Sequence, residues 1–387
     1  MIVIDASPAV HRKAGLGRYA QALIEALVAD TKEQARERYA IFYYAAEEVE
    51  PEGQLRTLPR VTTTQSAYDW RLRTLLAHWF NRPQNDLFSG AVKPRLFHAT
   101  EHLLPRLSGV RTVLTLHDLI FKAFPRYHLP RNYLFLQLAM PLFLRRADAI
   151  ICVSEHTKRD AVKHYRVPEE KIRVIYEGVE PHFSPDIPSA TLRRVRERYH
   201  LPDRFVLFVG TIEPRKNLPV LFEAFQALRE QAPDLAEELL IVGKQGWLHE
   251  GVYRMVHELG LTGLVRFVGR VDDEDLPALY RLASVMAFPS LYEGFGLPPL
   301  EAMACGTPVV ASNAAAMPEV LGDAALLIPP TDPSEWTRAL RSVLSNESVR
   351  RDLSQRGRQR AAQFDWQKTA RATQALYQSL LTTSTSA

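Results

Sequence analysis

The residues Tyr292 to Pro308, Y-E-G-F-G-L-P-P-L-E-A-M-A-C-G-T-P, constrain the fold of this chain more than any other stretch. They follow a short apolar run, Val285 to Phe288, of the kind buried on both faces in a parallel sheet. They lead into the Ala-rich segment Leu297 to Cys305, which reads as a helix. A strand, a glycine-containing loop and a helix start together make an anion site. Gly294 and Gly296 let the backbone turn sharply and approach a ligand, and the free N–H groups of Phe295, Gly296 and Leu297 point at it. Pro298 and Pro299 fit the first helical positions, where a missing N–H costs little.

Two carboxylates bracket this loop, Glu293 just before it and Glu301 within the helix. A carboxylate beside a phosphate is repelled, so both are expected to accept hydrogen bonds from hydroxyl groups. A phosphate with sugars on either side, a nucleoside diphosphate sugar, satisfies the whole pattern. A Gly-punctuated turn before an amphipathic helix with two solvated glutamates satisfies it as well.

Elsewhere apolar strands and helical segments alternate through both halves of the chain, which predicts α/β architecture with two doubly wound domains. A length of 387 residues also exceeds what one core usually serves. The boundary falls in E-G-V-E-P-H-F-S-P, residues 177 to 185, where the composition turns to proline and polar residues. The expected division is 1–182, 183–363, and then 364–387, a last amphipathic helix with a disordered polar tail.

Candidate site residues sit where such folds place them, at the C-terminal ends of strands. The first strand, Met1 to Asp5, is followed by A-G-L-G-R-Y, a predicted loop with Gly15 and Gly17, and a helix from Tyr19. That order also fits a dinucleotide enzyme, with Ala20 in the third small-residue position, but no acidic residue closes the second strand, Tyr39 to Tyr44. His98 and His117 each end an apolar run, His117 with Asp118 beside it. Ser154 is a predicted N-cap. In the second half a strand ends at Gly210 and Thr211 and a helix begins near Asn217, which can cap it. Arg215 and Lys216 thus stand at a helix start, where cations and free N–H groups reinforce each other for a diphosphate. The acids Asp272 to Asp275 read as complements of a helix dipole rather than metal ligands.

Net charge divides unevenly. Residues 1–182 hold 26 Lys and Arg against 20 Asp and Glu, the remainder 22 against 24. A basic first half suits an anionic membrane or a phosphate-bearing acceptor, and a solvated basic surface equally. Asp69 to Arg82 mixes Trp70, Leu72, Leu75, Leu76, Trp79 and Phe80 with arginines, as an interfacial helix does and as an amphipathic helix packed on a sheet also does. The start M-I-V-I-D lacks signal-peptide regions, and the longest apolar run, Tyr133 to Leu144, is too short to span a bilayer. The expected location is cytoplasmic, at the inner face of the membrane. Cys152 and Cys305 are expected to be buried thiols, and nothing calls for a nucleic-acid partner.

The run E-G-F-G-L-P-P-L-E followed by A-M-A-C-G-T-P-V-V-A-S resembles the glutamate-x7-glutamate signature of the retaining glycosyltransferases of family four. Their GT-B fold has two Rossmann-like domains facing a cleft and a C-terminal helix that crosses back to the first. The resemblance extends to P-R-K-N at 214–217, H-D-L at 117–119 and the stretch at 177–179. It implies that Glu293 lies against the donor sugar, Glu301 binds the ribose hydroxyls, and Phe295, Gly296 and Leu297 bind the diphosphate. Arg215 and Lys216 would clamp that diphosphate, His117 would face the sugar, Gly15 and Gly17 would cover the phosphates, and Val271, with Arg270, would sit where the base is read by main-chain contacts. The first domain would be the acceptor side, with His98 and Asp118 as candidates there. Many family members carry arginine where this chain has Thr211, so either Arg215 would supply that charge or the clamp would be weaker.

These expectations amount to metal-independent transfer of a hexose, mannose first, from a nucleoside diphosphate sugar such as GDP-mannose to a saccharide or lipid-linked acceptor, with no bound cofactor. A non-catalytic nucleotide-sugar-binding protein and a sugar-nucleotide epimerase stay open as alternatives.

Overall fold

The computed structural model describes residues 1–29, 38–47, 49–88, 92–246 and 250–382. The chain forms two compact units, one from Met1–Gly178 with the chain from Asp365 onward, the other Val179–Phe364. The polar tail 383–387 and Trp247 lie outside the described residues.

The first unit holds a seven-stranded sheet in the order β3-β2-β1-β4-β5-β6-β7. The strands are β1 (Ile2–Asp5), β2 (Tyr39–Tyr44), β3 (Arg60–Thr63), β4 (Leu96–Ala99), β5 (Arg111–Leu116), β6 (Ala149–Cys152) and β7 (Ile172–Val174). All pairings are parallel. The central strands are buried on both faces, which is why they read as continuous apolar runs. The edge strands β3 and β7 escape the sequence reading because they are half-exposed and carry Arg60, Thr62 and Arg173 between apolar residues. Phe42 anchors the core, with Trp70 and Phe97 at 5.3 and 5.7 Å between ring centroids. Ser154 caps its helix as predicted, accepting from the Thr157 N–H at 3.0 Å.

The second unit has a six-stranded sheet in the order β10-β9-β8-β11-β12-β13. Its strands are β8 (Phe205–Val209), β9 (Glu238–Val242), β10 (Val265–Gly269), β11 (Val285–Phe288), β12 (Val309–Ser312) and β13 (Leu326–Ile328), all parallel. Both sheets are doubly wound. In the first the strand order reverses between β1 and β4, in the second between β8 and β11, and a crevice opens at the carboxyl ends of such a strand pair.

The helix Trp366–Thr382 belongs to the first unit, where it packs on the helix Ala14–Ala29. A buried polar relay fixes it. Tyr377 Oη lies 2.6 Å from His98 Nδ1, and His98 Nε2 lies 2.7 Å from Thr115 Oγ1, which meets Tyr19 Oη at 3.0 Å. A neutral imidazole donates through one nitrogen and accepts through the other, so hydroxyls on both sides satisfy it. Burial keeps His98 neutral by pushing its pKa down to about 3. His98 is therefore a core residue rather than the acceptor-side group expected, because both ring nitrogens are taken and no ring surface reaches solvent.

Among the described residues no helix is long and apolar enough to cross a membrane. Replacing Tyr377 by Phe strips His98 Nδ1 of its hydroxyl partner in a dry site. Tyr377→Phe is expected to lower stability by about 1–3 kcal/mol, read from urea unfolding; an unchanged midpoint would show that the relay does not hold this helix.

Candidate active site

At the switch point of the second unit two loops leave neighbouring strands and interlock. Gly210 to Asn217 follows β8, with Pro214–Lys216 wound into one turn of 3₁₀ helix, and Pro289 to Gly296 follows β11. The Leu291 N–H donates to the Arg215 carbonyl at 2.9 Å, and Arg215 Nη1 donates to the Tyr292 carbonyl at 3.2 Å. Asn217 adopts a left-handed conformation and its side chain does not cap the helix Leu218–Gln231 as predicted. Its amide instead donates to the carbonyls of Pro289 and Pro330, at 3.3 and 2.7 Å, tying three loops together.

Within this frame four charges meet. Lys216 Nζ donates to Glu293 Oε1 at 2.6 Å, across 77 residues of sequence, and Arg215 Nη1 lies 2.6 Å from Glu293 Oε2. Arg215 Nη2 pairs with Glu213 Oε1 at 2.5 Å. Lys216 Nζ also stands 4.8 Å from the centroid of the Phe288 ring. Lys216 and Glu213 are buried. Burial opposes ionisation of Glu293, but the neighbouring Arg215 and Lys216 charges outweigh it and hold the carboxyl down at about 2. Burial and the Arg215 charge pull the Lys216 ammonium below the ordinary lysine range, against the pull of Glu293.

Four residues beyond Glu293 the helix Leu297–Ala304 begins. Gly296 precedes it at φ +103°, a conformation that favours glycine, and a Cβ there would also push aside the end of the Met317 side chain. Phe295 packs edge-on against Phe364 at 5.6 Å. Glu301 is buried rather than solvated, and one of its oxygens accepts from the Tyr280 hydroxyl at 2.8 Å. Burial and the Glu301 charge push the Cys305 thiol up to about 12, so it is unreactive. Among the described residues no group of three or more His, Cys, Asp or Glu side chains gathers as a metal site.

This geometry can be set beside known proteins. Residues 193–360 match the model of glycosyl transferases group 1, and residues 14–183 that of glycosyltransferase family 4. The chain is 34% identical over 277 residues to O-antigen chain mannosyltransferase B of Escherichia coli, covering 71% of this chain and 72% of that protein. The chain belongs to the family 4, group 1 glycosyltransferases. It is also 32% identical over 263 residues to the serotype-specific mannosyltransferase WbdA of Escherichia coli, although that match spans only 32% of WbdA. Among solved structures, sucrose-phosphate synthase from Thermosynechococcus elongatus superposes with a TM-score of 0.74 at 23% identity, covering 99% of both chains. Anabaena Alr3699/HepE in complex with UDP-glucose gives 0.71 at 19% identity, with 98% of this chain and 99% of that one covered. At these identities the two structures establish the fold, two Rossmann-like parallel-sheet domains.

The other expected site residues of this glycosyltransferase fall in several settings. Gly15 and Gly17 do not form a loop: both lie in the first turn of the helix Ala14–Ala29, and Gly17 is glycine because a Cβ would meet the Pro8 carbonyl at 2.8 Å. The His117 ring is held at both ends, Nε2 donating to the Thr100 carbonyl at 2.8 Å and Nδ1 facing Glu177 Oε1 at 3.3 Å. Burial disfavours its charge, yet the Glu177 carboxylate and the Thr100 carbonyl more than compensate, and its pKa is raised. Asp118 accepts from the Ile120 N–H at 3.1 Å and starts the short helix Ile120–Ala123. Thr211 packs its methyl group close to Gly246, and Val271 is buried just after β10.

The acids at 272–275 do more than face a helix dipole. Asp275 is buried and bonded by Arg194 at 2.6 Å, Arg198 at 2.8 Å and the Tyr199 hydroxyl at 3.0 Å. Glu213 and Tyr280 were not singled out from the sequence. Glu213 was findable, since a carboxylate two residues before an arginine can pair with it. Tyr280 was not, because nothing local relates it to Glu301.

Glu293→Gln leaves Lys216 buried without its anion. Because the Glu293 pKa falls from 4.5 to about 2 on folding, its contribution is fully present above 4.5 and is lost as pH drops toward 2. The variant is expected to be less stable by about 3 kcal/mol at neutral pH, with the gap closing as the solution is acidified below the ordinary glutamate value. Urea unfolding of both proteins across that range measures it, and a gap that stays constant would contradict the assignment.

Proposed function

We propose that this glycosyltransferase moves a hexose, mannose as first candidate, from a nucleoside diphosphate sugar to a saccharide or lipid-linked acceptor with retention of anomeric configuration. The observation that carries the reading is the convergence of Arg215, Lys216 and Glu293, three residues ahead of the Gly296 helix start, at the β8/β11 switch point. The mannosyltransferase relatives support mannose, and GDP-mannose is the donor to test first.

In the transfer, the bond between the anomeric carbon and the diphosphate breaks and its electron pair leaves on phosphate oxygen. A bond forms from the acceptor hydroxyl oxygen to that carbon, and the hydroxyl proton is released. Arg215, Lys216 and the N–H groups at Gly296 and Leu297 stabilise the charge growing on the leaving group. Glu301 accepts from ribose hydroxyls, with Tyr280 orienting its carboxylate. In the free protein Glu213 and Glu293 balance the two cations. An arriving diphosphate therefore competes with Glu293, whose carboxylate turns to a sugar hydroxyl. Because the two side-chain cations neutralise the diphosphate, the proposed transfer needs no metal ion.

Release of nucleoside diphosphate from a panel of nucleotide sugars, with thermal shift read alongside, tests this. GDP-mannose is expected to raise the unfolding temperature most and to be turned over equally well with EDTA present. Lys216→Ala is expected to fold and to lose about 10²-fold or more in kcat. Near-normal turnover by that variant would remove Lys216 from the mechanism, and a requirement for a divalent cation would replace the proposed role of the cation pair.

A further inference from the structure

The strongest feature outside the donor region is an apolar face on the first unit. Of the nine large hydrophobic side chains exposed among the described residues, eight lie in two segments: Tyr68, Leu72, Leu76, Trp79 and Phe80, and then Leu129, Leu134 and Leu138. The first group lines one side of the helix Ala67–Trp79 at helical spacing, while Trp70, Thr74, Ala77 and His78 on the other side are buried. Leu134 and Leu138 stand one turn apart on the helix Pro130–Arg146. The two helices touch. Arg71 Nη1 donates to Asn132 Oδ1 at 3.1 Å, the Arg71 guanidinium lies 5.5 Å from the Phe135 ring, and that of Arg131 lies 5.3 Å from the Tyr68 ring.

Charge on this face is mainly positive, with Asp69, bonded by the Ser66 hydroxyl at 2.6 Å, and Asp86 at the rim of its groove. Residues 70–85 contain Arg71, Arg73 and Arg82 with no Asp or Glu, and residues 119–147 contain five Lys and Arg with none. The flanking Asp86 is paired with Arg73 at 2.6 Å. A surface groove of about 760 Å³, walled by Leu72, Leu76 and Phe80, runs beside Arg73 and Arg82.

We propose that this face docks on an anionic lipid surface, with Trp79, Phe80, Leu72, Leu76 and Leu134 entering the headgroup region and the arginines meeting lipid phosphates. Apolar and aromatic side chains set among arginines are the composition that an interfacial helix uses. A lipid surface matches the excess of positive charge, whereas a symmetric second copy would bring the arginines of one chain against those of the other. The exposure of Trp79 and Phe80, 63% and 64%, is explained by a partner that is not part of the fold. The inference does not rest on the donor reading, and its test does not use turnover.

Flotation of the whole chain with phosphatidylcholine vesicles, alone or mixed equally with phosphatidylglycerol, tests it at low and high salt. The wild type is expected to partition roughly tenfold or more in favour of the anionic vesicles, less so as salt rises. Trp79→Ser with Phe80→Ser, and separately Arg82→Glu with Arg131→Glu, should each abolish the partition with unchanged unfolding temperature, since all four side chains are exposed. A wild type that binds neither vesicle, or both equally, overturns the proposal. So does a solution mass of two chains that falls to one on Trp79→Ser with Phe80→Ser, which would assign the face to a second copy.

Discussion

The second unit is organised around a buried carboxylate held between two cations. Isolating any one of Lys216, Arg215 or Glu293 in that setting would cost several kcal/mol, so the three are interdependent, and the loops that carry them must keep register to a fraction of an ångström. The main-chain bonds between Arg215 and the Leu291–Tyr292 segment, and the Asn217 amide on Pro289 and Pro330, supply that register. Well-packed hydrophobic residues would be as stable as a buried ion pair or more so. On the proposed function, anion binding gives this arrangement a reason to persist: it would keep two largely buried cations poised where a diphosphate takes the place of the internal carboxylate.

The two switch points differ in the charge they present, which bears on where a diphosphate can bind. In the first unit Lys13 Nζ bonds Glu101 at 2.7 Å and the Tyr44 hydroxyl at 2.7 Å, with the Asp5 carboxyl buried close by. Burial and the Glu101 charge push Asp5 up to about 7. The Lys13 ammonium there is already neutralised by Glu101, so a diphosphate would meet no excess of cation. The second unit offers cations equal in number to its acids, together with the N-terminus of the helix Leu297–Ala304. Topology alone leaves both crevices open to a ligand, and electrostatics separates them.

Much of this was legible in the residues because local chemistry decides it. Continuous apolar runs announced the central strands, Gly296 and its two prolines announced the helix start, and Ser154 announced its cap. What stayed hidden depends on pairing across distance. The edge strands β3 and β7 lack an apolar run since one face meets solvent. The sequence offered Gly15 and Gly17 as a loop, but the helix begins earlier because Gly17 lets it cross the Pro8 carbonyl. His98 looked like a ligand at a strand end, and only the Tyr377 and Thr115 hydroxyls, 279 and 17 residues away, show it to be structural. Glu293 was expected to face hydroxyls, and its bond to Lys216 crosses 77 residues.

Arginine clusters alone would not mark the proposed donor site, as Asp275 makes clear. There the carboxylate is buried while Arg194 and Arg198 are about half-exposed, 53% and 48%, so the cations remain hydrated and the assembly fastens the helix Ser189–Arg198 to the helix Leu276–Leu282. At Glu293 the balance is reversed, with the Lys216 side chain 7% exposed and its pKa drawn down. A cation already stripped of water forfeits no further hydration when a phosphate arrives, whereas Arg194 would have to shed its own. Desolvation before binding, more than charge, separates a ligand-ready pair from a structural one, and it falls on the residues that the glycine loop also reaches.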